Sequence, residues 1–294
     1  MERLTSPSES SRRLPPQMST QADPEKAFYE ARYAPFLELR PDDLRFTPAA
    51  FLADLENPRK EIYERKELYR ATLNALSRLN LSGKRILDYG CGTGDFGLWM
   101  ATAERAHVTF LDLAENAMEV CRKRAECSGV AARCETVARD ASDLACFEDG
   151  AFDLVYGCSS LHHTLKYDGA VNEIMRVLKP GGDLVLTETY GNNRLLNMLR
   201  RWNWKREKLS YDQGEGVIFD DEHVAILRNH FTEISLQPIG LFSMAKRALR
   251  GRFHLAAARA VVRALQLTDA VLIGLIPPLK SQCGEVVVVA RGRR

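Results

Sequence analysis

The sequence predicts an α/β fold, a mostly parallel β-sheet with helices packed on both faces. Three observations carry that prediction. Residues 85–94 read Arg-Ile-Leu-Asp-Tyr-Gly-Cys-Gly-Thr-Gly, a short apolar run ending in an acid and followed by glycines at alternate positions. A second apolar run, Val108-Thr109-Phe110-Leu111, ends in Asp112, at the separation of about 20 residues usual in nucleotide-binding strand–helix–strand units. Segments with helical apolar spacing then alternate with further apolar runs as far as Glu188, the pattern of a parallel sheet.

Ile86 and Leu87 read as the end of a buried strand. Gly90, Gly92 and Gly94 let the chain turn sharply and leave no side chain between the loop and a ligand. The helix that begins near Asp95 turns its free N–H groups toward that loop. Such a junction binds a nucleotide-like cofactor. A dinucleotide fingerprint needs Gly-x-Gly-x-x-Gly, and the position expected for its third glycine is Asp95. An acid there opposes a pyrophosphate. With Asp88 before the first glycine, two carboxylates flank the loop and favour a cationic ligand. Asp112 is placed to accept both ribose hydroxyls, as it would in a dehydrogenase too. Met118 on the next helix either lies against an adenine or fills the core, the commoner fate of a helical Met.

The run Leu87-Asp88-Tyr89-Gly90-Cys91-Gly92-Thr93-Gly94 resembles motif I of class I S-adenosylmethionine-dependent methyltransferases. The resemblance implies a Rossmann-like seven-stranded mostly parallel sheet with helices on both faces. It also implies S-adenosyl-L-methionine as cofactor and S-adenosyl-L-homocysteine as product; the sulfonium and ammonium groups of the cofactor agree with the charge argument. It assigns cofactor contacts to Asp88, Gly90, Cys91, Gly92, Gly94, Asp112 and Leu113. After a third strand at 132–138, the family's adenine-binding acid and its neighbouring N–H fall on Asp140 and Ala141. Asp143 competes for that role, and a solvated loop acid is the plainer alternative. The fourth strand, Phe152-Asp153-Leu154-Val155-Tyr156-Gly157, leads into Cys158 and the run Leu161-His162-His163. Ligands sit beyond the carboxyl ends of such strands, so the methyl group is expected near 158–163, with Cys158 among the cofactor residues. Leu161-His162-His163 and residues 173–182 resemble the type 11, ubiquinone/menaquinone-biosynthesis-like group of small-molecule methyltransferases. Val171, Ile174, Met175 and Leu178 recur at helical spacing as core positions, Pro180-Gly181-Gly182 is a turn, and 183–188 is a fifth strand. The resemblance covers about residues 58–190 and the last strand.

The chain has 294 residues, 27% charged and 45% hydrophobic, with a formal net charge of +2. This suits one large domain with additions, and the near-neutral balance points to no polyanion partner. Seven cysteines without a Cys-x-x-Cys pair read as reduced thiols of a cytoplasmic protein, and no metal-ligand spacing occurs. Residues 1–24, rich in Ser, Pro, Arg and Gln without an apolar segment, read as a disordered tail with no signal peptide; Met18 is an alternative start. The apolar stretch 255–279 is interrupted by Arg259, Arg263 and Asp269 and is too polar to span a bilayer.

Beyond the cofactor core, assigned to 81–242, the remaining regions should hold the substrate. Residues 25–80 are read as N-terminal helices; Phe28, Tyr29, Tyr33 and Phe36 are placed in a helical lid, with plain packing on the core as the alternative. A helix over 58–79 presents Ile62, Tyr69, Leu73 and Leu76 on one face. Residues 190–219 are the acceptor-pocket segment, with a short helix followed by Trp202 and Trp204 among basic residues. Basic and aromatic interleaving also suits single-stranded nucleic acid, which the short run and near-neutral charge disfavour. Strands six (231–242) and seven (284–290, leading into a basic tail to 294) are expected to pair antiparallel. The roughly 40 residues between them, 243–283, are too long for a hairpin loop and form a helical insertion before the last strand. Lys246, Arg247, Arg250, Arg252, Arg259 and Arg263 alternate with apolar residues there. A cap over a hydrophobic acceptor or a dimer interface comes first, peripheral membrane contact second. The chain is read as a monomer or homodimer.

The expected reaction is in-line transfer of a methyl group to a small acceptor, with the enzyme aligning donor and acceptor. His162 is the preferred general base and His163 the second candidate, since histidine titrates near operating pH; both merely orienting the loop is the alternative. Tyr29, Tyr33, Glu188 and Trp202 are the candidate acceptor contacts. A non-catalytic cofactor-binding scaffold and a nicotinamide-dependent oxidoreductase are the competing readings. No motif names the acceptor or separates oxygen, nitrogen and carbon targets.

Overall fold

The computed structural model describes residues 22–165, 169–206 and 217–294. Of the expected tail, residues 1–21 lie outside the described residues, while Ala22, Asp23 and Pro24 already belong to helix α1 (Ala22–Leu37). Residues 207–216 of the predicted acceptor segment also lie outside them.

After α1 come α2 (Pro41–Leu44), α3 (Pro48–Glu56), a 3₁₀ turn at Glu61–Arg65 and α4 (Lys66–Leu76). The alternating core follows: β1 (Arg85–Tyr89), α5 (Asp95–Ala103), β2 (His107–Asp112), α6 (Glu115–Cys127), β3 (Cys134–Ala138) and β4 (Phe152–Cys158). Next are α7 (Leu161–Thr164), α8 (Ala170–Val177), β5 (Leu178–Thr189), α9 (Arg194–Arg206), α10 (Asp221–His230) and β6 (Phe231–Ile239). The insertion contains a 3₁₀ stretch at Phe242–Leu249, α11 (Ala256–Leu275) and a 3₁₀ turn at Pro277–Gln282, and β7 (Glu285–Arg293) closes the chain.

The seven strands lie in the order β3-β2-β1-β4-β5-β7-β6. The pairs among β1 to β5 are parallel, and β7 runs antiparallel to both β5 and β6. The expected mostly parallel seven-stranded sheet is therefore what forms. Period-two alternation splits each central strand between two cores. Ile86 joins Leu68, Leu76, Leu98 and Met100 under α4, α5 and α6, while Leu87 and Tyr89 join Val155, Ile174, Val224 and Leu227 under α8 and α10. Each fully buried leucine, such as Leu68 or Leu76, contributes about 1.5–3 kcal/mol relative to exposure. α10 starts where Asp220 accepts the N–H groups of Glu222 and His223, and His223 Nδ1 returns a bond to the Asp220 N–H, satisfying donors that a helix start leaves open.

Two boundaries differ from the sequence reading. Leu178, expected on a helix, opens β5 and pairs with Phe152; the register then shifts so that Leu154 pairs with Asp183. The Pro180-Gly181-Gly182 turn signal is absorbed as an irregularity in one longer strand. β6 ends at Ile239, which pairs with Glu285 of β7, and Glu285 also pairs with Thr189 at the end of β5. Because β7 is reversed, the insertion leaves and re-enters the sheet at the carboxyl edge of the parallel strands. Asp269 of α11 secures it there, its buried carboxylate accepting the N–H groups of Leu241 (2.9 Å), Phe242 (2.7 Å) and Ser243 (3.0 Å). Among the described residues, no helix is long and apolar enough to cross a membrane.

Candidate active site

A cavity of about 690 Å³ opens at that carboxyl edge. Its first wall is the turn after β1. A Cβ on Gly90 would stand 2.5 Å from Ser160 Cβ, so glycine lets the β1 turn and the loop after β4 approach. Asp112, at the end of β2, braces this turn: its Oδ2 accepts the Gly92 N–H at 2.9 Å and its Oδ1 the Ala114 N–H at 3.0 Å. Burial raises the Asp112 pKa above the ordinary carboxylate value, against the lowering effect of those N–H donors. Asp140 Oδ1 accepts from Ser142 N (2.8 Å) and Oγ (2.7 Å), an Asx turn that presents Asp140 and Ala141 to the cavity. Asp143 pairs with Arg139 at 3.0 Å instead and is not part of the lining.

Gly90, Cys91, Gly92, Asp88, Asp112, Leu113, Asp140, Ala141, Cys158, His162, His163, Tyr29 and Tyr33 all line this one cavity. Gly94 does not; a Cβ there would meet Cys121 Sγ at 2.8 Å and Phe110 Cε1 at 2.9 Å, so its role is packing behind the loop. Gly97, passed over in the sequence, has the same function at closer quarters, with a Cβ falling 2.3 Å from Phe110 Cε1 and 2.5 Å from Asp88 Oδ2. The signal was available: Gly92-Thr93-Gly94-Asp95-Phe96-Gly97 is itself a Gly-x-Gly-x-x-Gly run in a later register. With Gly97 in third place, glycine spacing does not exclude a dinucleotide site.

The two carboxylates beside the turn are also less available to a ligand than their positions suggest. Asp95 lines the cavity but pairs with Arg124 at 2.9 Å. Asp88 is buried and accepts the Gly97 N–H at 3.0 Å. Burial, opposed by that N–H and reinforced by the nearby Asp95 and Asp112 charges, pushes its pKa up to about 8. Near neutral pH the glycine turn thus carries less negative charge than the two acids suggest.

α1 forms the opposite wall. Glu30 accepts the N–H groups of Glu115 (2.7 Å) and Asn116 (2.9 Å), capping α6 from outside with an acid. Lys26 pairs with Glu115 at 2.8 Å. So anchored, Tyr33 reaches the glycine turn and stacks on Tyr29 (5.9 Å between ring centroids), whose ring meets His163 edge-on at 6.1 Å. Phe28 and Phe36 line the cavity from the same helix.

His162 and His163 sit on the short helix α7, their rings 4.1 Å apart. Glu188, expected to touch the acceptor, lies fully buried behind them and is not part of the lining. One oxygen accepts the Ser160 N–H (3.0 Å) and the Leu161 N–H (2.9 Å); the other lies 2.7 Å from His162 Nδ1. Burial works to raise the Glu188 pKa, but the His162 charge and hydrogen bond and the Leu161 N–H outweigh it and hold the carboxyl below its ordinary value. Trp202 is the second misplaced candidate: it lies on α9, 62% exposed and outside the lining. The predicted acceptor segment supplies Arg200 and Ile218 instead.

Residues the sequence reading missed form the far end. Arg65, Tyr69, Ser159 and Glu285 line it with Lys246, Arg247 and Arg250 of the insertion. Three of the six basic side chains that alternate with apolar residues in the insertion thus line the cavity, and Lys246 is only 5% exposed. The outer surface of α11 shows Val261, Leu267, Val271 and Leu275. Ser160 Oγ and Glu285 Oε2 are buried without a hydrogen-bond partner among the described residues, as expected of groups that face a bound molecule.

Residues 86–182 match the family model described as a methyltransferase domain. They form a class I S-adenosylmethionine-dependent methyltransferase domain. An O-methyltransferase of Aspergillus nomiae is 33% identical over 111 residues, 38% of this chain and 49% of that protein. A fatty-acid O-methyltransferase of Mycolicibacterium smegmatis is 36% identical over 123 residues, 42% of each chain. The chain therefore spans less than half the length of these relatives. The solved geranyl diphosphate C-methyltransferase of Streptomyces coelicolor shares the fold, with a TM-score of 0.57 at 15% identity over 95% of this chain and 100% of that one. The methyltransferase match, not the glycine spacing, decides against the nicotinamide alternative. The domain's matched residues carry the cofactor end of the cavity; α1, the 3₁₀ turn at Glu61–Arg65 and the insertion lie outside the match.

Proposed function

We propose that the chain binds S-adenosyl-L-methionine in this cavity and transfers its methyl group to a small acceptor. The observation that carries the reading is the convergence of the glycine turn, Asp112 and Asp140 on one cavity beside His162. The donor set suits the cofactor: two strand-end acids for a ribose and an adenine amino group, unmatched polar atoms in the wall, and tyrosines on the facing helix. When bound, the cofactor supplies an electrophilic methyl group. Asp112 accepts the ribose hydroxyls, Asp140 and the Ala141 N–H take the adenine edge, and Gly90, Cys91, Gly92 and Leu113 give backbone contact. Asp88 acts from behind the turn, and Cys158 borders the reactive end.

His162 is the group that takes a proton from a hydroxyl or ammonium acceptor. Glu188 positions it: with Nδ1–H donated to the carboxylate, Nε2 is left as the basic nitrogen. His163, with Nδ1 3.2 Å from Glu25 Oε1 and its ring edge-on to Tyr29, faces α1 and serves the wall, not the proton. Tyr29 and Tyr33 close the site and exclude water.

The acceptor is a small, partly apolar molecule held between α1 and the insertion, which acts as the cap. The outward apolar row on α11 supports a peripheral membrane contact or a homodimer, which vesicle flotation and sedimentation separate. Seven thiols without a disulfide support the cytoplasm as its location. Calorimetric titration with S-adenosyl-L-homocysteine, with NAD alongside, tests the whole reading. Micromolar binding of the former alone is expected; binding of NAD alone overturns it, and a bound homocysteine analogue without turnover on any acceptor returns the scaffold alternative.

A further inference from the structure

Besides Arg200, which donates to the Tyr190 and Gly284 carbonyls, the acceptor end brings together four cations from segments far apart in sequence, and three of them are matched by carboxylates. Lys246 Nζ lies 2.7 Å from Glu67 Oε2, Arg247 Nη2 3.2 Å from Glu285 Oε1, and Arg250 Nε 2.7 Å from Glu64 Oε2. Arg65 is the fourth. Its Nη2 donates to Ser159 Oγ at 2.7 Å and its Nη1 to Tyr69 Oη at 3.2 Å, both neutral partners. Among the described residues, no carboxylate lies within 4.0 Å of its guanidinium. Of these four, Arg65 is the one without a carboxylate at ion-pair distance, on a side chain that is always protonated and presents its donors as a planar fork.

A guanidinium removed from bulk water, hydrogen-bonded to hydroxyls, stacked on the Tyr69 ring (5.0 Å to its centroid) and with the Glu285 charge only at longer range, gains further from an anion at contact distance. Its position is equally informative. Ser159, which Arg65 grips, follows Cys158 at the end of β4 and adopts a left-handed backbone with φ of +53°, an unfavourable conformation for a non-glycine residue. The arginine thus meets the loop expected to border the reactive methyl, while Phe28, Phe36 and Ile218 add apolar wall to the same cavity.

We infer that Arg65 is a specificity-determining residue that takes an anionic group, a carboxylate or phosphate, carried by an otherwise apolar acceptor. This rests on the proposed assignment of this end of the cavity to the acceptor. The planar fork matches either oxyanion bidentately. The ion pairs of the insertion keep the neighbouring cations occupied, so the anion is directed to Arg65.

The test is calorimetric titration of the full chain with octanoate, octyl phosphate and 1-octanol, with and without saturating S-adenosylhomocysteine. At least one anion should bind about tenfold or more tightly than the alcohol of equal length; the tighter of the two anions assigns the group. Arg65→Gln should remove the preference and keep the S-adenosylhomocysteine affinity within about twofold. Arg65→Lys, which keeps the charge and loses the fork, should lower the preference about threefold or more, and carries the test alone if the glutamine variant does not fold. Equal affinity for all three probes, or an unchanged preference in the folded variants, overturns the inference. Failure of S-adenosylhomocysteine to bind the unaltered protein counts instead against the methyltransferase reading, and the titrations without it still report on Arg65.

Discussion

The two ends of the cavity are made by opposite means. The end proposed for the cofactor comes from one contiguous stretch: each of β1, β2, β3 and β4 delivers its lining residues from its carboxyl end or the loop that follows it. The end proposed for the acceptor is assembled from the turn at Glu61–Arg65, the segment after β5 and the insertion, held by ion pairs such as Lys246–Glu67 across 179 residues, while α1 reaches from it to the glycine turn through Tyr33. Strand-end acids gather at the first end, and cations paired with Glu64 and Glu285 at the second. A parallel sheet presents successive loops at one edge by construction, so a cofactor site needs little beyond local order. The acceptor site needs segments that meet only once the whole chain has folded, and it is free to vary without disturbing the first.

That division is open to direct attack. The largest effect is expected from His162→Ala, with turnover on the true acceptor falling about 10²- to 10⁴-fold while S-adenosylhomocysteine affinity is kept; matched losses in both would show that the two ends are not separable. Asp112→Ala should weaken S-adenosylhomocysteine about a hundredfold, the loss of charge-assisted bonds worth about 3 kcal/mol, and an unchanged dissociation constant would remove Asp112 from the ribose. Gly97→Ala forces a methyl against Phe110 and Asp88 and should lower stability by about 1–3 kcal/mol in urea melts; full stability would mean the turn has slack. Asp88→Asn acts through pH. The folded pKa of Asp88 is raised from 3.8 to about 8, so its stabilising contribution is complete below about pH 3.8 and is lost as pH rises through about 8. The asparagine variant should therefore gain on the parent protein progressively between about pH 4 and 8 and then level off; a constant difference would mean that Asp88 is ionised throughout. Trp202→Ala should change stability by less than about 0.5 kcal/mol and leave turnover alone, and a large loss of activity would restore it to the acceptor site.

Legibility in the sequence follows the same line. Asp112, Asp140, Gly90 and the two histidines could be located because each stands directly after a strand recognisable by its apolar run, and strand ends in a parallel sheet share one edge. Glu188 was also found at a strand end, yet its side chain faces the helix α7 and not the cavity, since a strand turns alternate residues to opposite faces and no local pattern says which face holds the ligand. Gly94 and Gly97 stand against Phe110, whereas Gly90 stands against Ser160 at the cavity wall, and neighbours so distant in sequence leave no mark on the glycine pattern. Trp202 has an aromatic side chain suited to a pocket, but residue type carries no information about exposure, and it lies 62% exposed on α9.

By itself, the sequence determined the alternating strand–helix core, the glycine turn and the acids at the ends of β2 and β3, because apolar period and turn chemistry act over a few residues. Only the tertiary structure decided that β7, running backwards, returns the insertion to the ligand edge, that its lysine and arginines turn inward, and that Arg65 lies opposite Ser159 without a carboxylate. Those outcomes depend on burial and on charge pairing between residues as much as 186 positions apart, and such pairing has no local signature for a sequence to display.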